Sequence, residues 1–254
     1  SHPMLDLFSL KGKVALLTGA SRGLGKAMAL GLASAGADVV MVGRTPDQDL
    51  VDQVCALGVR AKFLAFDLMN VTAIAELVKS VHDEFGHIDI LVNNAGVQKR
   101  HKAVDFPKTD WDYVLDVNMS AVFFMCQEVG RLMLAQGKGK IINIASLLSF
   151  QGGITVPAYA ASKGAVTQFT KALANEWANQ GVNVNCIAPG YMDTDMNEAL
   201  KADPTRSQQI MSRIPAGRWG KPADMVGAAI YLASDASDYV NGSTIVIDGG
   251  WLGR

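Results

Sequence analysis

The tightest constraint on this chain lies near its start. The apolar run Lys13–Thr18 (KVALLT) meets the turn Gly19-Ala20-Ser21-Arg22-Gly23-Leu24-Gly25, and a helical pattern follows to about Ala35. A short, continuously apolar run reads as a buried strand. A glycine-rich turn between strand and helix aims backbone N–H groups and a helix N-terminus at one point, an arrangement suited to phosphate. The spacing is GxxxGxG, not the GxGxxG of the common dinucleotide fingerprint. It is not a P-loop either: Ala27 follows Gly25-Lys26 where the metal-holding Ser or Thr would stand, and Gly19 is one residue too far upstream. The turn alone leaves phosphate binding and a plain strand–helix junction open; its position at the first such junction favours phosphate.

The same alternation continues down the chain. Further strands are expected at Ala37–Val42, Arg60–Phe66, Ile88–Val92, Lys140–Ala145, Val182–Ala188 and Thr244–Ile247. Helical patterns cover Val71–Phe85, with Ile74, Leu77, Val78 and Val81 on one stripe, then Trp111–Met133, Ala158–Asn179 and Pro222–Ala233. Seven strands alternating with helices, without linker or repeat, specify an α/β fold: a single doubly wound, Rossmann-like, seven-stranded parallel sheet with helices on both faces. It is expected to run from residue 4 to 254 as one domain, and 254 residues that are 49% hydrophobic suffice for one core. Tyr191–Gly217 has weaker periodicity and many polar residues, and is expected to form a mobile lid with a short helix or two. Ser1-His2-Pro3 ahead of Met4 reads as an expression remnant.

Charge narrows the function. Lys+Arg number 23 against Asp+Glu 24, so no basic excess points to nucleic acid or an anionic membrane. No apolar run is long enough to span a bilayer. Cys55, Cys126 and Cys186 are odd in number and sit in apolar contexts, which reads as core thiols in the reducing cytoplasm. His82, His87 and His101 lack metal-ligand spacing, His2 belongs to the remnant, and no metal is expected.

The polar motifs all follow strands, at the carboxyl edge where such sheets bind ligands. The second strand ends at Gly43-Arg44 with no acid to hold ribose hydroxyls; Arg44 and Arg22 suit a 2′-phosphate, which favours NADP over NAD, with solvated surface arginines as the alternative. The third strand ends at Asp67-Leu68. The fourth runs into Asn93-Asn94-Ala95-Gly96, small residues that permit close backbone approach or merely end the strand. The polar loop Gln98-Lys99-Arg100-His101 suits a small anion or a plain surface. Asn118, inside the fourth-to-fifth strand helix, needs a partner, as a structural amide or in a polar relay. The fifth strand delivers Ser146. Tyr159 and Lys163, four apart on the next helix, share one face. An ammonium there favours the phenolate, so Tyr159 could pass a proton to or from an alcohol oxygen that Ser146 holds. The sixth strand ends at Pro189-Gly190.

Taken in order, TGASRGLG, NNAG, Asn118, Ser146, YxxxK and Pro189-Gly190 resemble the short-chain dehydrogenase/reductase family over essentially the whole chain after Met4. The resemblance implies hydride transfer between a nicotinamide and a carbonyl/alcohol pair. It implies Tyr159 as acid/base and Ser146 as the group polarising the substrate oxygen. Lys163 would lower the Tyr159 pKa and hold the nicotinamide ribose, and Asn118 would anchor a connecting water. It further implies Gly19, Ser21, Arg22, Gly23, Leu24 and Gly25 at the phosphates and Asp67 and Leu68 at the adenine. Asn94, Ala95 and Gly96 would stand on the ribose side, Pro189 and Gly190 beside the cofactor, and Thr194 at the carboxamide. Within the family, segments such as Leu148–Gly153, Arg213–Gly220 and Asp248–Trp251 are similar to those of sugar-acid dehydrogenases of the 2-keto-3-deoxygluconate, 2-deoxygluconate and gluconate type. Gln98, Arg100, Gln151, Ser146 and Tyr159 would then meet the substrate. Homotetramers or homodimers are the family's expectation. The competing readings are a 3-oxoacyl-thioester reductase and a non-catalytic dinucleotide-binding regulator.

Overall fold

Parallel strands cannot be joined by tight turns, so each crossover carries a helix and the helices are left to cover the sheet. The computed structural model, which describes residues 3–254, shows this outcome; of the three residues read as a remnant, Ser1 and His2 lie outside the described residues. The strands are β1 (Val14–Thr18), β2 (Asp38–Gly43), β3 (Ala61–Ala65), β4 (Ile90–Asn93), β5 (Gly139–Ile144), β6 (Val182–Pro189) and β7 (Thr244–Ile247). They form one all-parallel sheet in the order β3-β2-β1-β4-β5-β6-β7. The helices are α1 (Gly23–Ser34), α2 (Gln48–Cys55), α3 (Ile74–Phe85), α4 (Lys108–Leu115), α5 (Ala121–Gln136), α6 (Pro157–Trp177), α7 (Glu198–Ala202), α8 (Pro204–Arg213) and α9 (Val226–Ala233).

Successive strand residues point to opposite faces, and the core divides accordingly. Val14 and Leu16 of β1, Val40 and Val42 of β2 and Ile141 of β5 join the side chains of α3, α5 and α6 in one cluster. Ala15, Leu17, Val39, Met41 and Ile142 join α1, α2 and α9 in the other. A third, smaller cluster of Leu147, Ile210, Ile214, Trp219 and Trp251 lies around the carboxyl edge. Among the described residues no helix is long and apolar enough to cross a membrane.

Two sequence expectations change. The helix read over Trp111–Met133 is broken by a π-helical turn at Asp116–Ser120, where Asn118 sits fully buried; an inserted residue of this kind is invisible to a 3.6-residue period. Cys55 is exposed at the end of α2, unlike the buried Cys126 and Cys186. Asp47 is the N-cap of α2, its side chain accepting from the Leu50 N–H.

The sheet order changes direction between β1 and β4, so the loops leaving them diverge and open a cleft. Their first residues are nonetheless stitched together. The Asn94 and Ala95 N–H groups donate to Thr18 Oγ1 at 3.0 and 3.1 Å, and Asn94 Nδ2 donates to the Gly19 carbonyl at 3.0 Å. Thr18 is 1% exposed, so its hydroxyl is the acceptor both amides have. Thr18→Val keeps the shape and removes that acceptor. It is expected to lower stability by about 1–3 kcal/mol, the cost of unsatisfied buried donors. Chemical denaturation checks this; an unchanged midpoint would mean water serves the two amides.

Candidate active site

Gly19 adopts φ +67°, and a Cβ there would lie 2.8 Å from both Ala95 N and Cα. A Cβ at Gly25 would lie 1.9 Å from the Gly19 carbonyl oxygen. These two residues must lack side chains for the β1 turn to lie against the β4 loop, and the result is a backbone-lined floor. Arg22 occupies the N-cap of α1 without a side-chain cap, and the first turn carries no acid. The leading N–H groups of α1 therefore face outward with the helix dipole behind them. Ser21 stands beside Gly43, its Oγ 3.1 Å from where a Cβ would project. Arg22 and Arg44 are exposed, with no ion-pair partner among the described residues. Thr194 closes this end from above: its Cγ2 lies 3.4 Å from the position of a Gly23 Cβ. Floor, helix end and free cations fit a dinucleotide phosphate chain, and the family's nicotinamide cofactor is compatible with the residues present.

Not every expected contact is free. The Asp67 carboxylate accepts from the Met69 N–H, closing its own turn, and Leu68 packs partly buried on the core. Gly190 donates to Ile247 O and has Asp248 so close that a Cβ would meet it at 2.7 Å, while Pro189 ends β6 opposite Ile247.

At the carboxyl end of β5, Ser146 Oγ accepts the Leu148 N–H at 3.1 Å, and the Ser146 N–H is capped by Ser149 Oγ at 3.3 Å. The Ser149 hydroxyl in turn donates to Lys163 O at 2.7 Å, fastening this turn to α6. The Leu148 N–H takes one of the two Ser146 lone pairs, and the Ser146 O–H remains a donor. Tyr159 is its neighbour: burial pushes the phenol up from its ordinary value, and a hydrogen bond with Ser146 pulls it back. Lys163 is 5% exposed. Its ammonium donates to Ile144 O at 2.9 Å and lies 5.6 Å from the Tyr159 ring centroid. A Cβ at Gly96 would sit 3.8 Å from this ammonium, so the β4 loop ends against it.

The spacing of Tyr159 and Lys163 predicted an acidified phenol; here desolvation wins and raises it. The same desolvation lowers Lys163 to about 8. The Asn118 side chain is satisfied: Oδ1 accepts the Val97 N–H at 2.8 Å, and Nδ2 donates to Val97 O at 2.8 Å and to Ser162 Oγ at 3.3 Å. It ties the β4 loop to α6 from the π turn.

The loop 98–101 is less open than its composition implies. Arg100 Nη1 donates to Ile154 O and Thr155 Oγ1, both at 3.0 Å, and the His101 N–H donates to Thr155 O. His101 Nε2 meets Asp110 at 2.6 Å, and Lys99 lies over the Tyr113 ring. Thr155 takes φ +65°, an uncommon conformation for a β-branched residue, to present these acceptors. Gln98 is half-buried, and Gln151 Oε1 accepts from Trp251 Nε1 at 3.3 Å. Sequence reasoning passed over Trp251, Tyr191 and Trp219 as individual site residues. Tyr191 packs on both indoles, at 4.8 Å to Trp251 and 5.6 Å to Trp219. Aromatic residues next to PG and DGG turns were the available signal.

The buried lysine yields a pH test. Below pH 8 both folded and unfolded chains hold the proton, and folding bears the full cost of burying it. Between 8 and the ordinary 10.5 the folded chain sheds the proton first, so stability rises through that window. Relative to Lys163→Met, the native protein is expected to gain on the order of 3 kcal/mol from pH 8 to 10.5. Denaturant titrations of both proteins check this, and a flat difference would refute it.

Comparison with known proteins follows from this geometry. The short chain dehydrogenase family model matches residues 13–205. The 2-dehydro-3-deoxy-D-gluconate 5-dehydrogenase of Escherichia coli (strain K12) is 54% identical over 252 residues, covering 99% of this chain and 100% of that protein. The gluconate 5-dehydrogenase of Gluconobacter oxydans (strain 621H) is 44% identical, with 98% of each chain covered. The crystal structure of a gluconate 5-dehydrogenase from Burkholderia cenocepacia J2315 in complex with NADP and tartrate superposes with a TM-score of 0.94 at 42% identity, covering 99% of both chains. The glycine floor, the Ser146–Tyr159 hydrogen bond and the buried Lys163 thus stand in a chain that belongs to the short-chain dehydrogenase family of oxidoreductases acting on CH–OH groups.

Proposed function

We propose that this protein is an NADP-preferring dehydrogenase that interconverts the alcohol and ketone of a sugar acid, with 2-dehydro-3-deoxy-D-gluconate, oxidised at C5, as the leading substrate and gluconate-type acids as relatives. The observation that carries this reading is the Ser146–Tyr159–Lys163 group beside Gly96 at the carboxyl end of β5. The relatives' names carry the sugar acid.

Bound nicotinamide supplies or takes up the hydride. The chain's own residues handle the oxygen. Ser146, oriented by the Leu148 N–H it accepts, donates to the substrate oxygen and stabilises the negative charge that grows there during reduction. Tyr159, raised by burial, holds its proton at neutral pH and delivers it to that oxygen. Lys163, held by Ile144 O against the ring, offsets the phenolate that remains while its ammonium is charged, below about pH 8. Asn118 acts by fixing the 97 loop and α6, which carry the other groups. Gly19 to Gly25, with Asn94 to Gly96 and Thr194, hold the phosphates and ribose, and Asp67, Leu68, Pro189 and Gly190 shape the surrounding walls. Arg100, Gln98 and Gln151 line the substrate side. The segment 191–217, carrying α7 and α8, covers the cleft as a lid on a single domain spanning 4–254. Cytoplasmic residence and a homotetramer or homodimer complete the proposal; the exposed outer edge of β7, with Val246 38% exposed, supports subunit pairing there, and sedimentation equilibrium decides it.

Tyr159→Phe is expected to reduce turnover by about 100-fold or more while nucleotide binding and the melting temperature hold. Retained turnover in the folded, nucleotide-binding variant would end the mechanism. Arg44→Asp is expected to lower the ratio of NADPH to NADH efficiency by about tenfold or more, the worth of a charge-assisted phosphate contact. An unchanged ratio refutes the NADP preference. Steady-state rates on a panel of sugar acids and a hydrophobic ketone test the substrate, and preference for the ketone overturns it.

A further inference from the structure

A carboxylate on the substrate needs hydrogen-bond donors near Ser146, and the obvious cation is engaged elsewhere: Arg100 is bonded to Ile154 and Thr155. The cluster around Leu147 offers a different set. Leu147, next to Ser146, packs in one cluster with Trp251. The indole of Trp251 bridges two elements. Its Nε1–H donates to Gln151 Oε1 on the loop after β5, and its face carries the Arg213 guanidinium of α8, 3.9 Å from the ring. The consequences are chemical. With Oε1 taken by the indole, the Gln151 amide has its NH2 left to donate. Arg213 has no carboxylate within ion-pair reach among the described residues, and stacking on the ring leaves its N–H edge free. Trp219 Nε1, in the same cluster, is buried with no acceptor among the described residues. Donors accumulate here without acceptors, which complements a carboxylate. The C-terminal turn is also built to hold α8: Arg254 Nη1 donates to Ser212 O at 2.9 Å, and Ala216 donates to Gly249 O.

We infer that Arg213 and Gln151, held at fixed separation by Trp251, form the subsite that receives the substrate's carboxylate, with Trp251 as a positioning residue and Arg213 as the specificity-determining contact. The inference rests on the sugar-acid reading and adds the site that reads the acid.

The test compares 2-dehydro-3-deoxy-D-gluconate with its neutral methyl ester, in the full-length protein with saturating NADP. Arg213→Gln, at an exposed guanidinium, is expected to raise KM for the acid about tenfold or more, with kcat and the ester's KM nearly unchanged. Arg213→Lys keeps the charge, loses the stacked fork and recovers only part. Trp251→Phe keeps a ring for Arg213 but drops the Gln151 bond. It is expected to raise KM for the acid by a smaller factor, and the double variant less than the product of the two. Equal effects of Arg213→Gln on acid and ester, or none, overturn the subsite while leaving the oxidoreductase reading intact. A native enzyme that turns over neither compound but, given NADPH, reduces other ketones overturns the sugar-acid reading itself, and the subsite with it.

Discussion

The cleft depends on a backbone-to-backbone contact that almost no side chain would permit. The turn after β1 and the loop after β4 meet where Gly19 lies against Ala95, and Gly25 lies against the Gly19 carbonyl. A single methyl at either position would force the two loops apart. Thr18 then binds the approach with one hydroxyl accepting two amides, and Asn94 binds it from the other side. Because β1 and β4 are neighbours whose following helices go to opposite faces, this contact fixes the rim of the crevice and the direction of α1. The end of α1 aims at the same space as Ser146 and Lys163 because both follow from the one switch in strand order.

Tyr159 and Lys163 are held at an energetic disadvantage. Lys163 is almost fully buried with a single carbonyl partner, and burial moves its ammonium down to about 8. Tyr159 is displaced the other way by the same cause. Nothing in folding asks for a cation there, and an apolar residue of the same length would pack more cheaply. Around it the fold is over-satisfied. Asn93 Nδ2 donates to Asn143 Oδ1, and Asn143 Nδ2 to Thr170 Oγ1, so a buried polar chain crosses β4, β5 and α6 directly beneath the site. Such a network rigidifies the frame in which a strained group can persist.

The surfaces around this group belong to other parts of the molecule. One wall is the loop 98–101, tied to Ile154 and Thr155; the other is α8 with the C-terminal turn, joined through Trp251. Neither wall is part of the sheet, and each is held by a few specific contacts. These surfaces can therefore vary without disturbing the floor and the Ser–Tyr–Lys group.

The sequence by itself determined the sheet, its parallel sense and the helices on both faces, because apolar runs of strand length alternating with helical stripes admit little else. It also determined the order in which Gly19, Asn94, Ser146, Tyr159 and Lys163 reach the carboxyl edge, because each ends or follows a strand. Several features escaped it for identifiable reasons. The π turn at Asn118 adds one residue to a helix without altering its composition. The exposure of Cys55 depends on which side of α2 the tertiary packing leaves uncovered. Whether Lys163 would acidify Tyr159 was legible as spacing only, whereas the sign of the shift is set by how much water the packed cleft excludes. Trp251 meets Gln151 across 100 residues and Arg213 across the closing turn. Only the closed tertiary structure brings those three side chains together, because contacts so far apart in sequence leave no periodicity to read.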